Sequence, residues 1–313
     1  MEALVAEHVT KRYTHHTALD KVSLTIPEKS IYGLLGPNGA GKTTFIRIIN
    51  QIINADEGEV RIFGEKLKPG HVEIIGYLPE ERGLYKKMKV GDQLMYLAQL
   101  KGLGKQEAFQ RIKVWLERFE IKDWWNKKVE DLSKGMAQKV QFISTVLHEP
   151  KLIILDEPFS GFDPVNAQLI TDEILGLKER GSTIIFSTHR METVESLCDH
   201  IAMINKSKKV LEGSKKDVKA SYKTNTYVVE HRGNFRLSGV GHQLVSQKEL
   251  EGNHFETLIK ADQGSSPNAL LHELLPQTEV FRFEQKLPTM AEIFINLVKA
   301  EGDEALRKHL QEA

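Results

Sequence analysis

The chain has 313 residues, which is enough for one large α/β domain and a smaller second domain. Its composition, with 40% hydrophobic and 27% charged residues, is typical of a globular protein and excludes a largely disordered chain. The formal net charge is zero, so a broad basic surface is not indicated and no nucleic-acid partner is expected.

A glycine-rich segment follows the first buried strand and is the most specific motif in the chain. The apolar run 31–35 predicts a strand, and a helical pattern of apolar residues begins at Phe45 and extends to Ile53. Between them, the pattern G-x-x-x-x-G-K-[ST] is satisfied within Gly36, Pro37, Asn38, Gly39, Ala40, Gly41, Lys42, Thr43 and Thr44. Backbone N–H groups of such a loop converge on phosphate oxygens, while Lys42 reaches the β/γ-phosphates and the Thr43 hydroxyl ligates Mg²⁺. The segment predicts a nucleoside-triphosphate site.

The next part of the chain predicts one more strand and then a helical insert. Residues 59–64 are typical of a strand in an early antiparallel layer. Residues from about 88 to 148 are interpreted as a helical insert, in which Phe109, Ile112 and Leu116 have the spacing of an amphipathic helix.

A short apolar run, residues 152–155, ends in Asp156-Glu157-Pro158 and is typical of a buried parallel strand. A carboxylate at the end of such a strand emerges beside the phosphate loop, so Asp156 can hold Mg²⁺. Glu157, one residue further, is positioned to polarise a water for attack on the γ-phosphate. An acidic strand end that caps the next helix is the alternative, but the phosphate loop upstream favours the catalytic interpretation.

The segment Leu132-Ser133-Lys134-Gly135-Met136 resembles the signature motif L-S-G-G-Q of the ATP-binding-cassette (ABC) family. A Ser–x–Gly sequence at a helix N-terminus offers a hydroxyl, free N–H groups and a positive dipole end. In the family, this motif closes over the γ-phosphate held by a partner subunit. The resemblance therefore implies that Ser133 and Gly135 contact ATP bound by a second ATPase subunit, a homodimer mate or a close paralogue. Lys134 and Met136 depart from the pattern, so contacts at these two positions do not carry over.

Other positions match the family in chain order. Tyr13 matches the aromatic residue that stacks on adenine, although an ordinary surface tyrosine on a strand is the alternative. Residues 160–163 match the loop that links the two composite ATP sites. The predicted strand 183–188 is followed by His189, which the resemblance identifies as the switch histidine that contacts the γ-phosphate.

Glu80 occupies the place of the glutamine that lies beside Mg²⁺ and the attacking water in this family. A carboxylate still offers oxygen to the metal or to water, but it adds negative charge near the triphosphate. Both outcomes for Glu80, a Mg²⁺ contact or none, therefore stay open.

Two domains are predicted, residues 1–219 and residues 220–313, with the lysine-rich stretch 206–219 as the boundary. The first is expected to be a P-loop NTPase cassette of the α/β class, with a mixed sheet core, an antiparallel β layer and the helical insert. The second, with strand-like and helix-like segments, is expected to be a small α+β domain. It loosely resembles the C-terminal domain on ATPase subunits of bacterial exporters, and we expect it to modulate or stabilise the dimer without contributing a catalytic group.

The resemblance implies an ATP-binding and ATP-hydrolysing subunit of an exporter, using ATP and Mg²⁺, that dimerises head to tail and drives a separate integral membrane permease. No apolar run approaches the roughly 18 residues of a membrane span, and the single cysteine, Cys198, fits a reducing cytosol. We expect a cytoplasmic protein, peripheral on the inner face of the plasma membrane through the permease. The alternative is a soluble ABC-type ATPase acting on ribosomes or nucleic acid. It is disfavoured because the chain holds one cassette, with only about 90 residues between Lys42 and Ser133.

Overall fold

The chain folds as two units that divide between Lys215 and Lys216. The computed structural model describes residues 1–81, 83–238, 241–262 and 264–300. The end of the predicted C-terminal domain, residues 301–313, lies outside the described residues. Within the described ranges, no helix has both the length and the apolar character required to cross a membrane.

Strands of the first unit form two sheets. They are β1 (Glu2–Tyr13), β2 (His16–Pro27), β3 (Ile31–Leu35), β4 (Glu57–Ile62), β5 (Glu65–Lys66), β6 (Ile75–Leu78), β7 (Leu152–Asp156), β8 (Thr183–Thr188), β9 (His200–Asn205) and β10 (Lys208–Ser214). An antiparallel layer has the order β2-β1-β4-β5, and a mixed sheet has the order β10-β9-β3-β8-β7-β6. In the mixed sheet all neighbours are parallel except β9 and β10. The predicted mixed core and antiparallel layer are confirmed.

Helices of the first unit cover and connect these strands. They are α1 (Lys42–Ile49), α2 (Val90–Leu100), α3 (Lys105–Arg118), α4 (Lys134–Val146), α5 (Pro164–Glu179) and α6 (Met191–Leu197), with short 3₁₀ turns at Pro69–Glu73, Lys122–Trp124 and Val129–Asp131. The region predicted as a helical insert contains α2, α3 and α4. Helix α1 is shorter than its apolar pattern suggested: it ends at Ile49, and Ile52 beyond it is 57% exposed.

Burial explains why the central strands lack alternating polarity. Every residue of β3, β7 and β8 is buried, because these parallel strands are covered on both faces. Their register aligns Leu35 with Thr188, and Asp156 with Ser187. The segments that follow β3, β7 and β8 therefore leave one edge of the sheet side by side, which brings the phosphate loop next to the acidic strand end.

A single hydrophobic core cluster joins the antiparallel layer to the mixed sheet through α1. It includes Leu24 of β2, Phe45 and Ile49 of α1, Ile154 of β7 and Ile204 of β9, each at most 1% exposed. The helix that begins at the phosphate loop is thus held on its apolar face by both sheets, which orients its N-terminus.

The second unit contains one antiparallel sheet with the order β12-β13-β11-β14. Its elements are α7 (Lys215–Ser221, which begins at the division between the units), β11 (Thr226–Arg232), β12 (His242–Glu249), β13 (His254–Ala261), α8 (Pro267–Leu274), β14 (Glu279–Gln285) and α9 (Met290–Ala300). Leu270 and Leu274 of α8 pack in a core cluster with Tyr227, Val229 and Ile259. Sequence analysis missed β12, whose residues after His242 are all exposed and so show no apolar alternation.

Candidate functional site

A cavity of about 220 Å³ lies where the phosphate loop meets the ends of β7 and β8. It is lined by residues from five separate segments: His16, Ala18, Asn38, Gly39, Gly41, Lys42, Thr43, Thr44, Glu80, Asp156, Glu157 and His189. The cavity therefore brings six residues of the predicted loop together with both predicted carboxylates, Glu80 and His189, whereas Gly36, Pro37 and Ala40 do not line it.

The phosphate loop requires glycine at two positions where its backbone passes close to other backbone atoms. Gly36 has φ +147°, and a Cβ there would lie 2.1 Å from the carbonyl oxygen of Ile204. Gly41 has φ +115°, and a Cβ there would lie 2.3 Å from the carbonyl oxygen of Ala18. Any side chain at either position would clash with backbone, so the curl that exposes the loop N–H groups depends on these glycines.

Lys42 is only 8% exposed and is held by its own loop. Its Nζ donates to the carbonyl oxygens of Gly36 at 2.7 Å and Pro37 at 3.0 Å. Burial lowers the pKa of Lys42, and three carboxylates act in the opposite direction: Glu157, Asp156 and Glu80. A cation poised among backbone carbonyls at a helix N-terminus is suited to bind phosphate oxygens.

Side chains with oxygen atoms suitable for a Mg²⁺ ion line this cavity. Asp156 is 3% exposed, and burial raises the pKa of this carboxyl group, with the charges of Glu80 and Glu157 adding to the rise. Thr43 and Glu80 line the same cavity. Among the described residues there is no cluster of three or more His, Cys, Asp or Glu side chains that could hold a metal by itself. This donor set fits Mg²⁺, which is held in proteins by one or two carboxylates together with phosphate oxygens and waters.

Glu157 and His189 form a hydrogen-bonded pair at the edge of the cavity. Glu157 Oε1 accepts from the backbone N–H of His189 at 3.0 Å and lies 2.6 Å from His189 Nδ1. The Thr188 hydroxyl donates to Glu157 Oε2 at 3.2 Å. The backbone of Glu157 has φ +48°, an uncommon conformation for a residue with a side chain, and its N–H donates to the carbonyl of Ser187. Such local strain is found most often at functional sites.

Ser133 and Gly135 do not line this cavity. Ser133 is the N-cap of α4, where its hydroxyl oxygen accepts from the N–H of Met136 at 3.3 Å. The aliphatic part of Lys134 lies across Gly161: a Cβ on Gly161 would be 2.7 Å from Lys134 Cδ. The first turn of α4 is therefore packed against the loop after β7, and Ser133 is not part of the nucleotide cavity of its own chain.

Tyr13 lies next to the cavity without lining it. It is 42% exposed and stacks on His16, with ring centroids 5.4 Å apart and an interplanar angle of 22°. His16, which does line the cavity, was missed by sequence analysis because only the turn between β1 and β2 brings it onto the Tyr13 ring. The two rings form one aromatic surface of the kind on which a base can stack.

Two buried glutamines on α4 were also missed. Gln138 Nε2 donates to the carbonyl of Pro158 at 3.3 Å, and Gln141 Nε2 donates to the carbonyl of Pro79 at 3.1 Å. Both side chains are 3% exposed. Two glutamines three residues apart among the apolar residues of this helical pattern were the available signal, because the core side of a helix seldom carries amides without a bonding role.

A second, mainly apolar groove of about 330 Å³ lies beside residues 79–81, which follow β6 and are called the Glu80 loop. Its lining includes Tyr77, Pro79, Leu97, Leu100 and Gln141. Leu100 is 64% exposed, so this surface is open to a partner.

Comparison with known proteins gives matches over both units. The family described as ABC transporter matches residues 19–160, and the family described as ATP-binding protein DrrA1-3-like, C-terminal domain, matches residues 213–298. The chain is 43% identical over 297 residues to the uncharacterized ABC transporter ATP-binding protein YhaQ of Bacillus subtilis (strain 168), covering 95% of this chain and 99% of that protein. It is 33% identical over 218 residues to the linearmycin resistance ATP-binding protein LnrL of the same organism, covering 69% of this chain and 70% of that protein. A solved ATP-binding subunit of an ABC transporter is similar with a TM-score of 0.66 and 29% identity, covering 70% of this chain and 93% of that one.

Proposed function

Because this chain belongs to the family of ABC transporter ATP-binding proteins, which are ATPases coupled to transport, we propose that it is the ATP-hydrolysing subunit of an exporter. The observation that carries the proposal is the cavity in which Lys42, Asp156, Glu157 and His189 meet. A phosphate-binding loop, a metal-binding carboxylate, a base and a proton-bearing imidazole are the groups that hydrolysis of a triphosphate requires.

We assign each residue a role from its contacts. Lys42 and the loop N–H groups hold the β/γ-phosphates, and the Tyr13–His16 surface holds adenine. Thr43 and Asp156 would hold Mg²⁺, with Glu80 as a further oxygen donor, and the ion supplies charge neutralisation of the phosphates. Glu157 accepts a proton from the attacking water, and its hydrogen bonds from His189 and Thr188 orient the carboxylate for that task.

We further propose that two ATPase subunits sandwich two ATP molecules head to tail. Ser133 and Gly135 carry the features of an anion site but lie outside the cavity of their own chain. The triphosphate bound by a second subunit would be the anion that binds at the N-terminus of α4. The geometry supports a site completed in trans.

Export is the direction that the relatives support. LnrL, to which this chain is similar, is named as a resistance protein. The C-terminal region of this chain matches the DrrA1-3-like C-terminal domain. We propose a separate membrane permease as the partner, with this chain on the cytoplasmic face of the membrane. The apolar groove beside the Glu80 loop is the surface that we assign to the permease, because it adjoins both the helical insert and the nucleotide cavity.

The test is purification of the tagged full-length chain from detergent-solubilised membranes of cells that express it naturally. We expect a polytopic membrane protein to co-purify, and Leu100→Asp to release it while ATP binding persists. Val114→Asp is the matched control, since Val114 lies on α3, is 58% exposed and does not line the groove. Co-purification with ribosomes or nucleic acid in place of a membrane protein would overturn the proposal.

A further inference from the structure

One buried face of α4 is polar, and its side chains hold the loops that carry the cavity carboxylates. Gln138, Gln141 and Thr145 are 3%, 3% and 5% exposed, and they recur at helical spacing on one face. Gln138 donates to the carbonyl of Pro158, the residue after Glu157. Thr145 Oγ1 donates to the carbonyl of Gln141 in its own helix at 2.9 Å and lies 3.4 Å from the carbonyl oxygen of Tyr77, inside β6. The carbonyl of Pro158, by contrast, lies just beyond the end of β7.

Gln141 makes the most specific of these contacts. Its Nε2 lies 3.1 Å from the carbonyl oxygen of Pro79 and 3.5 Å from that of Glu81. These two carbonyls flank Glu80, so one amide group holds the backbone on both sides of the carboxylate that enters the cavity. A side-chain amide has two N–H donors, which matches the two acceptors.

The other half of the Gln141 amide argues against a role in packing alone. Its Oε1 is buried and has no hydrogen-bond partner among the described residues. A buried acceptor without a partner is costly, and an apolar side chain of the same length would fill the space without that cost. What an apolar side chain could not provide is the pair of donors to the Glu80 loop.

Among the described residues, none makes a hydrogen bond with the Glu80 carboxylate that would fix the position of this side chain. Its carboxylate is nevertheless close enough to act on the charges in the cavity: it contributes to raising the pKa of Asp156 and counteracts the lowering of the pKa of Lys42. The placement of this charge therefore depends on how its backbone is held.

We propose that Gln141 is a positioning residue, which holds the Glu80 loop so that the Glu80 carboxylate lies in the cavity with Thr43 and Asp156, which would hold Mg²⁺. This role rests on the proposed function, since it takes Glu80 to be an oxygen donor near the ion. Residues that orient a metal donor without touching the metal commonly control metal affinity.

The experiment is a double-mutant cycle on the full chain, read out as binding and not as turnover. A fluorescent non-hydrolysable ATP analogue is titrated at a series of Mg²⁺ concentrations. We expect Gln141→Met to raise the half-saturating Mg²⁺ concentration by about 10-fold, with binding of the analogue in the absence of Mg²⁺ unchanged within about 2-fold. Glu80→Gln should produce a similar shift, and the double variant should show no further shift.

Two controls separate positioning from a general loss of structure. Ser144→Ala removes a hydroxyl that bonds only to the carbonyl of Gln141 among the described residues, and should leave the Mg²⁺ dependence unchanged. Gln141→Asn keeps the amide but shortens the side chain by one methylene, so the amide no longer reaches the Glu80 loop. This variant should shift the Mg²⁺ dependence as Gln141→Met does. It therefore replaces Gln141→Met in the test if that variant folds poorly.

The outcomes are distinct. Shifts that multiply in the double variant would overturn the proposal, because Gln141 would then act independently of Glu80. A Glu80→Gln variant with wild-type Mg²⁺ dependence would also overturn it, while leaving the proposed ATPase intact. Failure of the wild-type chain to bind the analogue at any Mg²⁺ concentration would overturn the proposed function itself.

Discussion

The carboxylate of Glu157 and the imidazole of His189 are joined at two points, through the 2.6 Å contact to Nδ1 and the 3.0 Å bond from the His189 backbone N–H. Glu157 is 14% exposed in its side chain and His189 is 59% exposed, so the pair runs from the protein interior to the open side of the cavity. Glu157, the less exposed member, is suited to act as the base, and His189, the more exposed member, can contact a phosphate and a partner subunit.

Glu157→Gln should retain ATP binding and lower hydrolysis by about two or more orders of magnitude, the scale of losing a positioned base. A glutamine can still accept the hydrogen bond from the His189 N–H, so the local fold should survive. Phosphate release measures turnover, and size-exclusion chromatography should show an ATP-dependent dimer that persists because cleavage no longer opens it. Wild-type turnover in this variant would show that Glu157 is not the base.

Lys42→Ala should weaken ATP binding by roughly 1.5–3 kcal/mol, because it removes a charge-assisted phosphate contact. The loop itself should remain intact, since Gly36 and Gly41 define its curl. Equilibrium titration with a fluorescent ATP analogue measures the change. Lys151→Ala is the matched control, as Lys151 is exposed and outside the cavity. Equal affinity of the wild type and Lys42→Ala would mean that this loop is not the phosphate site.

The fold and the nucleotide cavity were predictable to different extents. The cassette architecture followed from the resemblance to the ABC family, supported by three local signals: an apolar strand before Gly36, another before Asp156 and a third before His189. These predict neighbouring parallel strands, whose ends then meet at one edge. His16 and Gln141 could not be assigned in this way, because their roles depend on a turn and on a helix–loop contact between residues far apart in the chain. Strand β12 was missed because an edge strand with both faces exposed carries no periodic apolar signal.

Ser133→Arg should abolish ATP-driven dimerisation and leave the nucleotide affinity of the monomer nearly unchanged. Ser133 does not line the cavity of its own chain, and an arginine side chain at the N-cap would occupy the space that a partner's phosphate needs. Size-exclusion chromatography with non-hydrolysable ATP reports dimerisation, and analogue titration on the same sample is the internal control. A variant that dimerises normally would contradict the head-to-tail arrangement.

A chain that ends after Ser221 should still bind ATP, with an altered dimer affinity. Each residue assigned to the cavity precedes Lys215, where the first unit ends, and a cut after Ser221 leaves α7 whole. The described residues of the second unit have their own core around Leu270 and Leu274 and none of them lines the cavity. Analogue titration and sedimentation measure the two properties. If the shortened chain folds but does not bind ATP, the second unit belongs to the nucleotide site.

His148 should make the first unit less stable in acid. Burial lowers the pKa of this histidine to about 4, with the charges of Lys101 and Arg111 acting in the same direction. The same histidine in an unfolded chain has a pKa of about 6.5. Between about pH 6.5 and pH 4, the unfolded state therefore binds a proton that the folded state does not bind. The stabilisation by neutral His148 is therefore complete above about pH 6.5 and is lost as the pH falls towards 4.

Between pH 7.5 and pH 5.0, this linkage should lower the free energy of unfolding by about 1–2 kcal/mol. Urea titrations followed by tryptophan fluorescence report on the first unit alone, since Trp115, Trp124 and Trp125 all lie in it. His148→Gln removes the titrating group and should reduce the pH dependence by that amount, while the contributions of the remaining histidines cancel in the comparison. Equal pH dependence in the wild type and His148→Gln would mean that His148 is as easily protonated in the folded chain as in the unfolded one.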